Sequence, residues 1–186
     1  MFVFDGFADW EPASALAELR RTFGFSVQIV ALTRDFVMSM GGLKILPDLL
    51  IGEAQADLID ILIIPGGDAW MRGEIKEVTD FIRSVGEASR PVAAICAAIL
   101  SLAYAGVLDN HRHTSNGNGF IPKYVRTCKG HGLYRKLRAV RDGNVITANG
   151  LVPFAFAAEI FRAVASDRSE DLTTYEALYS RGLLDG

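Results

Sequence analysis

The chain has 186 residues, half of them hydrophobic, and a formal charge of −3. That excludes a disordered or fibrous chain and points to one domain, 1–186, large enough to bury an extended core. Basic residues form no dense patch, so no nucleic-acid partner is expected; the densest run, 129–141, is broken by apolar residues and glycines and reads as solvated surface.

Residues 1–4 read as a strand that starts abruptly, followed by a turn at Asp5-Gly6-Phe7. Asp9 is placed to cap a helix, with Pro12 in its first turn and Gly24 beyond its end. Residues 26–33 form the next strand, and 37–46 a small hairpin turning at Gly41-Gly42. Residues 47–56 read as a loop with a short helix. The run 58–64 is almost wholly apolar, as expected of a strand covered on both faces. Pro65-Gly66-Gly67-Asp68 makes a sharp turn, and a helix follows over 75–87. Residues 92–95 are a strand that breaks at Cys96 into an Ala/Leu-rich helix closed by Gly106.

Residues 112–115 suggest a short strand, and 116–131 a long polar, glycine-rich loop of the kind that often carries function. Residues 137–140 and 144–148 form a hairpin about Asp142-Gly143, and helices follow over 153–165 and 171–181. The alternation predicts an α/β fold, doubly wound, with a mostly parallel central sheet and helices on both faces. Ligands of such sheets sit beyond the carboxyl ends of strands. Glu11, Gly66-Gly67 and Cys96 all follow predicted strands, so the topology brings them to one crevice.

The run 92–108 contains Ser101, Tyr104 and Gly106 and is short for a membrane span, so no membrane partner is expected. The N-terminus has no secretory signal pattern. The two cysteines, Cys96 and Cys128, do not make a disulfide framework, and a cytoplasmic location with reduced thiols is expected.

Cys96 carries the most information. At a strand-to-helix turn the first free N–H groups of the helix point at the thiol, which favours thiolate, the reactive species. The alternative is a buried small hydrophobe. An ionised Glu11 beside it would raise the thiol pKa, so Glu11 helps only as a protonated carboxyl donating to the thiolate. Alone, Glu11 would read as a first-turn carboxylate meeting the helix dipole. Trp70 suits a pocket wall or helix packing equally. Three scattered histidines and two distant cysteines give no metal-ligand spacing, and no cofactor motif is present, so neither metal nor cofactor is expected.

The segments Asp5-Gly6-Phe7 through Glu11, Ile63-Ile64-Pro65-Gly66-Gly67, Ala94-Ile95-Cys96-Ala97 and Val145-Ile146-Thr147-Ala148-Asn149-Gly150 resemble the ThiJ/PfpI family of the class I glutamine amidotransferase-like superfamily. The resemblance covers nearly the whole chain. It implies a flavodoxin-like sandwich, a homodimer, a nucleophile-elbow Cys96, Glu11 as its carboxylate partner, and an oxyanion site at the backbone N–H groups of Gly67 and Ala97. It also makes Gly66, Asp68, Trp70, Asn116 and His113 candidate pocket residues. The opening strand is shorter than the family's usual one, which implies a few residues ahead of Met1.

The pattern departs from the family at the histidine. Ala97 follows the cysteine where many members have His, and Asn116 takes the place where others have it. Asn is no general base near neutral pH. His113 lies three residues earlier, which on a strand points it to the opposite face. No His follows His131, so conventional glutaminase chemistry is not expected. His131 reads as a solvent-exposed loop residue and Cys128 as incidental. The expectation is a reactive-cysteine hydrolase or lyase acting on a small molecule, such as an aldehyde, amide or isonitrile. The alternative is a redox or oxidative-stress sensor working through reversible oxidation of the same cysteine.

Overall fold

The computed structural model describes residues 1–75 and 77–181. Helix α1 (Trp10–Arg21) is followed by strands β1 (Val30–Ala31), β2 (Val37–Met38), β3 (Lys44–Ile45), β4 (Leu49–Leu50) and β5 (Leu62–Ile64). Helices α2 (Asp68–Arg72) and α3 (Val78–Glu87), strand β6 (Val92–Ile95), and helices α4 (Ile99–Tyr104) and α5 (Phe120–Tyr124) come next. Strands β7 (Ala139–Asp142) and β8 (Val145–Ala148) and helices α6 (Pro153–Val164) and α7 (Ser169–Arg181) complete the order.

The central sheet runs β5-β6-β8-β7, parallel except for β7, which pairs antiparallel with β8. The extended N-terminal segment continues it beyond β5. Phe2 N–H donates to Ile63 O at 3.0 Å, Val3 N–H to Val30 O at 2.8 Å, and β1 pairs parallel with β4. Side chains alternate between the two faces. Ile63, Ala93, Ile95, Ile146 and Ala148 pack against Ala15 and Leu19 of α1 and Phe156, Ile160 and Phe161 of α6. Leu62, Ile64, Val92, Ala94 and Val145 pack against Val78, Ile82 and Val85 of α3 and Leu100 and Leu102 of α4. Both faces are covered, so the strands need apolar residues at every position. The fold is doubly wound α/β, as the alternation of strands and helices predicts, and flavodoxin-like, as the family resemblance implies.

Several elements differ from expectation. Asp9 makes no cap hydrogen bond; its carboxylate accepts from Ser39 Oγ at 3.1 Å and Gly41 N–H at 3.2 Å, holding the β2–β3 hairpin on the loop before α1. The strand expected over 26–33 pairs only at Val30–Ala31, and β4 falls where a loop was expected. In the apolar run expected as a strand over 58–64, only Leu62–Ile64 is a strand, and Leu58 is exposed. The helix expected from 75 starts at Val78; residue 76 lies outside the described residues. The polar loop 116–131 contains α5, anchored by buried Ile121 with buried Val125 behind it. The strand expected at 112–115 reduces to one bridge, His113 to Tyr134. The β7–β8 turn is centred on Gly143-Asn144, one residue later than expected. Among the described residues, no helix is long and apolar enough to cross a membrane.

Candidate active site

Strand β6 ends at Ile95, and the backbone reverses at Cys96 with φ +60° before entering a 3-10 turn (Cys96–Ala98). A positive φ at a residue with a Cβ costs about 1–2 kcal/mol, and persists only where surrounding packing enforces it. Here Ala94 and Ile95 on one side and Ala97 through Leu100 on the other are all buried. The fixed elbow lifts the half-buried thiol out of the sheet toward the loops that follow β5 and β8.

Glu11 reaches the same point from the second position of α1. The loop before it is tied down by Ala8 N–H to Gly66 O at 2.9 Å and Gly6 N–H to Met38 O at 2.7 Å. Glu11 is only 1 % exposed. Its Oε2 accepts from Gly66 N–H at 2.6 Å, and the carboxyl shares a hydrogen bond with the Cys96 thiol. Because Gly66 N–H occupies Oε2, a neutral Glu11 carries its proton on Oε1.

Burial raises the Glu11 carboxyl to about 7, against the opposing pull of the Gly66 and Cys96 hydrogen bonds. Burial first, and an ionised Glu11 second, push the Cys96 thiol up to about 11, while donors from Asn116 and Ala97 N–H pull it down. The elbow therefore does not by itself lower the thiol pKa, contrary to expectation: desolvation outweighs the helix donors. The two groups titrate as a pair. The first proton leaves near 7, the second only at high pH, and between them one proton is shared. A thiolate exists in that window when the shared proton sits on Glu11 Oε1.

Two glycines leave room for the pair. A Cβ on Gly66 would lie 2.7 Å from Glu11 Oε2 and 2.8 Å from Cys96 Cβ; one on Gly150 would lie 2.7 Å from Cys96 Sγ and 3.2 Å from Glu11 Oε1. Gly67 is required for a different reason. Its φ is +154°, and a Cβ there would strike Gly6 O and the Phe4 ring at 2.8 Å. Gly66→Ala and Gly150→Ala are each expected to displace the pair and cost about 1–3 kcal/mol by overpacking. Cys96 alkylation rates and thermal melts check this; native rates in both variants would contradict it.

The structure sorts the predicted residues. It brings together Cys96, Glu11, Gly66 and Asn116, and Ala97 N–H donates to the Cys96 sulfur; Gly67 follows Gly66 in the turn after β5. Asn116 Nδ2 lies 3.2 Å from Sγ. Trp70 is not a pocket wall: it is 2 % exposed, packs on Phe2 and Phe4, and donates from Nε1 to Pro65 O at 3.0 Å. It braces the Pro65–Gly67 turn from the core side. His113 is not in the site either. Its buried ring bonds His111 O through Nδ1, packs edge-on to Tyr134, and is held below the usual imidazole range by burial. Asp68 is exposed at the start of α2, His131 is exposed, and Cys128 is buried with its thiol raised by burial. Gly150 was missed as a site residue, although its place just beyond the carboxyl end of β8 is where such sheets bind ligands. Among the described residues, no group of three or more potential metal-binding side chains clusters.

Comparison with known proteins agrees with this frame. Residues 1–163 match the DJ-1/PfpI family. The chain is 34% identical over 170 residues to an uncharacterized protease, YdeA, of Bacillus subtilis (strain 168), covering 91% of this chain and 84% of that protein. A second such protein of that organism, YoaZ, is 33% identical over 172 residues, covering 87% and 80%. More distant relatives are named isonitrile hydratase (Pseudomonas putida) and deglycase (Pyrococcus furiosus). A solved DJ-1 superfamily protein from Agrobacterium tumefaciens superposes with a TM-score of 0.86 at 34% identity, covering 96% of each chain. With the match running through both the elbow and the Glu11 segment, the chain belongs to the DJ-1/PfpI family.

Proposed function

We propose that the protein is a cysteine-dependent hydrolase or lyase acting on a small molecule with an unsaturated electrophilic carbon. The observation that carries this reading is a strained elbow thiol in a hydrogen bond with a buried carboxyl raised to about 7. Near neutral pH the pair holds one labile proton, which suits a combined nucleophile and proton shuttle.

In the proposed step, the Cys96 thiolate forms a bond to the electrophilic carbon. The π pair moves onto the substrate heteroatom, and Glu11 Oε1 gives its proton to the adduct: to the oxygen of an aldehyde, to the former terminal carbon of an isonitrile, or to the departing nitrogen of an amide. The developing negative charge is assigned to the N–H groups of Gly67 and Ala97, the oxyanion positions that the family resemblance implies. Glu11, now a carboxylate, takes a proton from the incoming water or from the adduct, and Cys96 leaves as thiolate. No imidazole is required, which fits addition to an aldehyde or isonitrile better than cleavage of a peptide, whose departing amine would have to take the one proton Glu11 carries. The varied names of the relatives do not choose among substrates.

The test is a panel of aldehydes, isonitriles and amides assayed with wild type, Cys96→Ser and Cys128→Ser. Turnover lost in the first variant and kept in the second is expected. Equal turnover in all three would end the proposal.

A second reading, a peroxide sensor, is favoured by a different observation. Cys96 is partly accessible, whereas Cys128 is 4 % exposed. Oxidation by peroxide would convert the Cys96 thiolate to sulfenate with loss of water. Stoichiometric, thiol-reversible mass gain at Cys96 without turnover of any panel substrate would favour it.

A further inference from the structure

Asn116 sits on the sulfur, yet the Cys96–Glu11 pair itself does not explain its presence there. Its two amide atoms have opposite partners. Oδ1 accepts from Gly150 N–H at 3.1 Å, and Nδ2 donates to Cys96 Sγ at 3.2 Å. Flipping the amide would set Nδ2 against a backbone donor and Oδ1 against an electron-rich sulfur. Both contacts would become repulsive, so the backbone of Gly150 fixes the orientation. The segment is fixed in turn: Thr114 N–H donates to Thr147 Oγ1 of β8 at 3.0 Å, and Thr114 Oγ1 to Leu137 O at 2.7 Å.

We propose that Asn116 is a locked donor that selects the reactive tautomer of the Cys96–Glu11 pair. The inference rests on the pair described above and deepens it. With one proton between the two groups, the choice is S–H with a carboxylate, or a thiolate with a carboxylic acid. Nδ2–H favours the second, because a thiolate is the stronger acceptor. Asn116 thus does part of what a neutral imidazole would do in its place. Such a ring offers one acceptor nitrogen and one N–H, so it can take Gly150 N–H on one side and donate to sulfur on the other. Asn116 differs in having no proton to lose, so it holds the sulfur without adding a second titration.

The role has a signature that packing lacks. Asn116→Ala is expected to keep the rise in Cys96 alkylation near pH 7 but lower its plateau about tenfold, by loss of a charge-assisted hydrogen bond. Thiolate ultraviolet absorbance on that plateau should fall in parallel. Asn116→Asp, with a negative acceptor on the sulfur, should lower both further. Asn116→His should recover the plateau lost in Asn116→Ala. Circular dichroism and thermal melts establish that each variant is folded. Should Asn116→Ala fail to fold, the contrast between Asp and His at the same position decides.

Wild-type plateaus in both Asn116→Ala and Asn116→Asp would overturn the proposal and make Asn116 a wall. So would failure of Asn116→His to exceed Asn116→Asp. Glu11→Gln distinguishes this from failure of the pair itself. If that variant loses the phase near neutral pH while Asn116 variants change nothing, the pair stands and only the donor role falls.

Discussion

Glu11→Gln is expected to lower turnover by about 10²- to 10⁴-fold, the usual worth of a positioned general acid–base group, while leaving Cys96 in place. Glutamine keeps the shape and can still accept from Gly66 N–H, which donates at 2.6 Å in the wild type. What it lacks is a proton that moves between carboxyl and sulfur. The wild-type rate should rise with pH through about 7, as the pair loses its first proton, and the variant should show no step there. Steady-state rates across the neutral range, from mildly acidic to mildly basic buffer, check this. Turnover close to wild type, with the same midpoint, would remove Glu11 from the chemistry.

The same substitution should stabilise the protein above neutral pH. The folded Glu11 carboxyl is raised from 4.5 to about 7 by burial. Below 4.5 it is neutral in both folded and unfolded states and costs nothing. Between 4.5 and 7 the unfolded chain ionises while the folded one resists, so stability is lost as pH rises. Above 7 the loss is complete, about 3 kcal/mol. A glutamine side chain is neutral throughout. Relative to its own value at pH 4.5, Glu11→Gln should therefore gain on wild type as pH rises, by on the order of 10 °C in Tm once the wild-type pair has lost its first proton. Parallel melting curves against pH would show that the carboxyl is not desolvated as described. Activity and stability are thus set against each other at one residue, as expected where a site holds a charge in poor solvent.

Much of this was legible in the chain. Val92 to Ile95 is apolar, stops at a small polarisable residue and runs into Ala and Leu, which is how a buried parallel strand feeding a helix must read. Glu11 was visible because Asp5-Gly6 and Pro12 bracket a strand end and a helix start. Other features had no local signal. Strands of two residues, such as Leu49–Leu50, are too short for a period to show. Helix α5 follows a glycine-rich stretch and contains Pro122, so its propensity is poor; burial of Ile121 secures it. Trp70 could face either side of its turn, and only the Phe2 and Phe4 rings on the core side decide. Asn116 stood out as a missing histidine, but its orientation depends on Gly150 N–H, 34 residues away. The sign of the thiol shift was also hidden, because it depends on how much burial offsets the donors at the elbow.

Both proposals turn on Cys96 and Glu11 sharing one proton near neutral pH. The rate of Cys96 alkylation, followed from acidic pH up through the thiol range in a Cys128→Ser background with and without Glu11→Gln, reads this out directly. A phase with a midpoint near 7 is expected. Glu11→Gln should abolish it, leaving a single midpoint at or above the free-thiol value of about 8.5. Superimposable profiles with and without Glu11 would contradict the shared proton.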